Sequence, residues 1–177
     1  MAATLESPED RRRQKVVAAR ICNRTDWNVA IAKQFGEVDF RFKVDGEIVA
    51  FAELKCRPKD RWATRGRACL FVSNRKLKSL RDRLRPGPYD VGLVSLLAVW
   101  QLIDVMVWAD VRITDGCEPH IVTRTTARAN GERGVHDREP GVLIPAHWVE
   151  TIGPGMDFAA VDALADEDVE AYIRANP

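Results

Sequence analysis

Residues 38–56, VDFRFKVDGEIVAFAELKC, leave the chain few ways to fold. Apolar residues crowd two short arms, 38–44 and 47–55, rich in Phe, Val and Ile, and Asp45-Gly46 between them is a strong hairpin-turn signal. Two antiparallel strands are expected. Glu53 and Lys55 interrupt the otherwise apolar second arm, where a buried charge is costly unless it is paired or bound to a metal.

The remaining chain reads as one globular domain: 177 residues, 46% hydrophobic and 30% charged. The longest apolar run, near 91–100, falls well short of the roughly 20 residues that span a bilayer. The opening MAATLESPEDRRR has no apolar signal core. An intracellular, cytoplasmic protein without a membrane partner is expected. Cys22, Cys56, Cys69 and Cys117 show no CxxC or Cys/His ligand spacing and read as free thiols. The net charge of +1 conceals a basic stretch over 57–85 and an acidic one over 157–170.

In chain order, Ser7-Pro8-Glu9-Asp10 has the form of a helix start, and Val16, Val17 and Ile21 give the following segment a short apolar stripe. Residues 23–26 break it, and 27–31 alternate as a strand. After the hairpin, 57–67 is basic, contains Pro58, Trp62 and Gly66, has no periodicity, and reads as a loop. Ser73 is the expected N-cap of a basic helix with Leu77, Leu80 and Leu84 on one face, stopped by Pro86-Gly87-Pro88. Residues 89–100 form a continuous apolar run, the pattern of a central strand buried on both faces. A turn at Gln101-Leu102 leads to a strand over 103–113, and 120–123 are expected to pair beside it. Residues 124–141 lack an apolar period and read as a mobile loop. A short strand over 142–144, a helical turn over 145–151 and one acidic helix over about 157–175 complete the chain. Phe158, Val161, Leu164, Val169 and Tyr172 are available to dock that helix. The sum is an α/β domain with a central mixed β-sheet flanked by helices.

Cleaving a phosphodiester needs a nucleophilic water, stabilisation of charge on the phosphorus oxygens, and protonation of the leaving oxygen. Mg²⁺ meets much of that need while held by one or two carboxylates, so Asp39 and Glu53 are sufficient, with the Leu54 carbonyl as a further candidate ligand and Mn²⁺ as a substitute. Lys55, two residues beyond Glu53, points to the same face of the strand. It can position the attacking water or stabilise the developing charge. Arg57, Lys59, Arg61, Arg65 and Arg67 are candidates for phosphate contact, with Trp62 for base stacking.

Register decides whether the trio can assemble. With a regular two-residue turn, Val44 faces Glu47 and Asp39 falls opposite Ala52, on the wrong face. A three-residue loop, Val44-Asp45-Gly46, or another bulge near Asp39 is therefore required.

Asp39 followed by Glu53-Leu54-Lys55 at the end of the next strand resembles the PD-(D/E)XK nuclease superfamily, in particular its small Holliday-junction-resolvase-like and phage-encoded members. The likeness runs from the first helix to Trp100 through helix, hairpin, basic loop, helix and central strand. It implies a restriction-endonuclease-like core and a Mg²⁺-dependent endonuclease acting on DNA, with branched or junction DNA as a substrate class and a symmetric homodimer as the junction-cutting form. Two positions depart from the family pattern. Val38 stands where many members have proline. Gln14 stands where the family often has a first-helix glutamate; it can orient a water but brings no charge, with Glu9 as a substitute. Lys76 resembles a basic position near the scissile phosphate. The rival expectation is a non-catalytic nucleic-acid-binding or assembly protein that retains the fold.

Overall fold

A computed structural model of the chain describes residues 7–31, 38–59, 70–84, 94–127 and 133–177. Helix α1 (Pro8–Thr25) begins as its sequence predicts. The Ser7 hydroxyl accepts from the Asp10 N–H, the Asp10 carboxylate accepts from the Ser7 N–H, and Pro8 takes an early position whose N–H has no helical partner anyway. The helix runs into the break expected at 23–26, as far as Thr25, and ends on Asp26, which adopts the left-handed conformation at φ 58°.

Among the described residues, nine strands form two sheets. The larger has six strands in the order β1-β2-β3-β5-β6-β9: β1 (Asn28–Ile31), β2 (Phe40–Val44), β3 (Glu47–Arg57), β5 (Ser95–Leu102), β6 (Val105–Asp110) and β9 (Glu150–Pro154). β3 and β5 are parallel and the other neighbours antiparallel, so the sheet is mixed as expected. The smaller sheet has three strands, β4 (Leu70–Ser73), β8 (Arg133–Ile144) and β7 (Glu118–Ala127), in that order. On one face of the large sheet α1 buries Val16, Val17 and Ile21 against Phe40, Phe42, Ala50, Ala52, Leu97 and Val99. On the other, α2 (Asn74–Asp82) buries Leu77 and Leu80 with Phe51, Leu96, Ala98, Trp100 and the small-sheet residues Leu70, Val72 and Ile144. β5 is buried on both faces, which is why its sequence is a continuous apolar run.

The central hairpin resolves the register question. The loop is the two-residue Asp45-Gly46 kind, with φ of 50° and 86°, and Val44 faces Glu47. The expected three-residue loop is absent, and a bulge does its work. Lys43 pairs with Ile48 but Phe42 pairs with Ala50, so Val49 is an extra residue and the register beyond it shifts by one. Phe40 then lies opposite Ala52, and Asp39, whose N–H donates to the Ala52 carbonyl at 3.0 Å, falls opposite Glu53.

Other expectations are corrected. The region expected as a mobile loop over 124–141 contributes to the long β7–β8 hairpin, paired from Glu118↔Leu143 to Ala127↔Arg133. Its ladder is held by main-chain hydrogen bonds, which leave no hydrophobic period; the overlooked signal was the β-branched run Ile121-Val122-Thr123 with Thr125-Thr126. The C-terminal acidic helix expected over 157–175 is two helices, α3 (Phe158–Asp162) and α4 (Val169–Ala175), separated by a 3₁₀ turn at Asp166–Asp168. A continuous helix would offer the Asp162 carbonyl to the N–H of Asp166, but Arg12 of α1 donates to that carbonyl at 2.9 Å. Arg13 grips the Asp162 carboxylate at 2.6 and 2.8 Å. Phe158, Val161 and Val169 are nevertheless buried against α1, with Leu164 and Tyr172 packed beside them.

β5 begins at Ser95 and runs to Leu102, so the turn falls at Ile103-Asp104, two residues later than expected, and β6 ends at Asp110. β4 and β9 were not anticipated; each is short, and β9 follows a 3₁₀ turn at Ala146–Trp148. No helix among the described residues is long and apolar enough to cross a membrane.

Gly141 lets β8 approach β4: a Cβ there would lie 2.2 Å from the Val72 carbonyl and 2.6 Å from the Phe71 ring. Because the first obstacle is backbone, Gly141→Ala is expected to destabilise the protein by about 1–3 kcal/mol, the scale of forced overpacking. Urea unfolding measures it, and an unchanged midpoint would count against the tight β4–β8 contact.

Candidate active site

The site forms where β2 stops and β3 continues. Beyond Ala52, β3 loses its β2 partner, and the Asp39 side chain takes over: the Leu54 N–H donates to Asp39 Oδ2 at 2.6 Å. In an extended strand a residue's N–H and C=O point to the same edge. The Leu54 carbonyl is therefore also directed to the Asp39 side. Gln14, Asp39, Leu54, Lys55 and Arg57 line one cleft of about 230 Å³, together with Asp10, Arg13 and Cys56.

Glu53 lies beneath this cleft, only 3% exposed. Its Oε1 accepts from the Lys76 ammonium of α2 at 2.6 Å, while Oε2 is buried with no hydrogen-bond partner. Burial raises the Glu53 carboxyl to about 7; the nearby Asp39 charge adds to the rise, and Lys76 and Lys55 oppose it. Burial also lowers the Lys55 ammonium, against the attraction of Glu53 and with Arg57 and Lys76 pushing the same way. Two carboxylates in mutual repulsion and an orphaned buried oxygen make an environment that a cation would relieve.

The donor set fits a hard divalent cation. Asp39, Glu53 Oε2 and the Leu54 carbonyl are all oxygens, the chemistry that Mg²⁺ and Mn²⁺ prefer. Among the described residues no group of three His, Cys, Asp or Glu side chains is arranged to hold a metal, so any such ion would keep several waters. Cys56 is no competitor: burial pushes its thiol up to about 12, and it stays protonated.

Gln14, buried on α1, reaches the cleft from the other side of the sheet. Glu9, the suggested substitute, pairs with Arg12 at 3.5 Å, and Asp10 lines the cleft instead. Lys76 meets Glu53 itself. Lys59 is exposed just after β3, while Arg61, Trp62, Arg65 and Arg67 lie outside the described residues. Ser73 occupies the N-cap of α2 without a side-chain cap bond, and its Oγ is buried without a partner.

Sequence reasoning missed Asp10, Arg13 and Glu139. The first two follow from helical spacing, since Asp10, Arg13 and Gln14 share one face of α1. Glu139 of β8 lies near enough for its charge to act on Lys55. No local signal could have placed it there, because the strand pairing that carries it to the site is long-range. No protein-family model matches the chain, and a search of curated proteins found no match.

Proposed function

We propose that this protein is a metal-dependent nuclease that hydrolyses DNA phosphodiester bonds, with branched or junction DNA among its candidate substrates. The observation that carries the reading is the convergence of Asp39, Glu53 and Lys55 at the open end of β3, with Glu53 Oε2 buried and unpartnered. Asp39, Glu53 and the Leu54 carbonyl would hold Mg²⁺ or Mn²⁺, which supplies Lewis-acid polarisation of the phosphate and a more acidic water. Lys55 faces the same space. Its ammonium can stabilise charge gathering on the phosphate oxygens, and its amine, favoured by burial, can take a proton from the attacking water. The Gln14 amide can orient that water without adding charge. Arg57, Lys59 and the basic segment with Arg61, Trp62, Arg65 and Arg67 supply backbone contacts that position the strand. A homodimer would let two sites address two strands.

One observation favours a second reading. Lys76 already neutralises Glu53, so the site is partly satisfied by the chain itself. A non-catalytic nucleic-acid-binding or assembly protein would be content with that pair.

Linear duplex, single-stranded, flapped and four-way-junction DNA, each incubated with Mg²⁺ or Mn²⁺, separate the two. Cleavage that is lost in Lys55→Ala and Glu53→Ala is expected. Cleavage unchanged in both variants would defeat the site assignment, and binding without cleavage by the native chain would favour the second reading.

A further inference from the structure

We propose that Lys76 is a tethered counter-ion, holding Glu53 in the metal-free protein and releasing it when a divalent cation binds; this rests on the metal-dependent reading above. The two oxygens of Glu53 are unlike. Oε1 is taken by the Lys76 ammonium at 2.6 Å, and Oε2 is buried and has no partner. A cation at Oε2 would stand within a few ångströms of that ammonium, in surroundings where like charges are poorly screened. Both cannot remain.

Lys76 is the one built to leave. Leu77 and Leu80 anchor α2 in the core, at 4% and 0% exposure, so the side chain can swing without moving the helix. Its own side chain is 26% exposed against 4% for Glu53, and solvent is open to it while the carboxylate has no such exit. The four-carbon stem supplies the reach. Lys76 thus keeps a buried carboxylate neutralised before the cation arrives, and the freed ammonium remains beside the cleft where a phosphate would enter.

The test uses the full chain without DNA. Calorimetric titration of Mn²⁺ into the metal-free protein is expected to show Lys76→Met binding about tenfold more tightly than the native chain, because the competitor is gone. Lys76→Arg, which keeps the charge, is expected to stay within about threefold of native. In the unmutated protein, the rate at which an amine-acylating reagent modifies Lys76, read by mass spectrometry, is expected to rise several-fold on adding Mg²⁺. In Glu53→Gln it should be high with and without Mg²⁺. Mn²⁺ affinity in Lys76→Met equal to or weaker than native overturns the inference, as does a Lys76 labelling rate insensitive to Mg²⁺ in a native chain that binds the ion. Failure of native and Lys76→Met, both folded by circular dichroism, to bind Mn²⁺ overturns the metal-dependent reading together with it.

Discussion

Glu53→Gln is expected to stabilise the metal-free protein at pH 8 and, on the nuclease reading proposed above, to remove metal-dependent cleavage. The Glu53 carboxyl is raised by burial and by Asp39 to about 7 in the folded chain, above its unfolded value. Between those values the native state binds the proton more tightly, so Glu53 favours folding at low pH and this contribution is lost as pH rises toward 7. A shift of this size corresponds to about 3 kcal/mol at most. The amide removes the charge and keeps the shape, and Lys76, losing its partner, can turn to solvent. A net gain of about 1–2 kcal/mol at pH 8 is therefore expected, shrinking toward zero near pH 5 where the native carboxyl is already protonated. Urea unfolding in EDTA at both pH values measures it. Excess Mg²⁺ should reverse the order, since only the native chain gains binding free energy from the ion. Cleavage should fall by about two to three orders of magnitude. A variant less stable than native at pH 8 would mean that the ion pair with Lys76 outweighs the cost of burying the charge.

The second large effect is at Lys55. On the nuclease reading, Lys55→Met is expected to lower cleavage by about two to three orders of magnitude while leaving Mn²⁺ binding intact, since that reading sets the residue beside the reacting groups but gives it no ligand role. That combination distinguishes it from Glu53→Gln, in which both are lost. Burial lowers the Lys55 ammonium, so its neutral amine becomes available at a lower pH than for an ordinary lysine. Lys55→Arg keeps a cation that does not deprotonate in proteins. Loss in that variant of a native rise in rate with pH would assign proton abstraction to the amine, and an unaltered pH profile would assign charge stabilisation. Native-like rates in Lys55→Met would remove the residue from the chemistry altogether.

Helix α1 and the hairpin were legible because their signals are local: Ser7 and Asp10 cap the helix three residues apart, and Asp45-Gly46 accepts the positive φ that its turn requires. The central strand was legible for a similar reason, since burial on both faces leaves an unbroken apolar run. The β7–β8 hairpin was not, because its cohesion is main-chain pairing that leaves no hydrophobic period. The break between α3 and α4 was not legible either. There the Asp162 carbonyl accepts from Arg12, 150 residues away, a partner that no local spacing records.

The candidate site divides along the same line. By itself the sequence determined which chemical groups are available, Asp39, Glu53 and Lys55, and that they share one face only if the hairpin register shifts by a residue. Only the tertiary structure decided how that shift is made, through a bulge at Val49 behind a two-residue turn. It also decided that Lys76 closes on Glu53 and that Glu139 stands near Lys55. Strand periodicity is written into neighbouring residues, whereas the partner of a buried charge is chosen by whichever distant element packs over it, and no spacing along the chain records that choice.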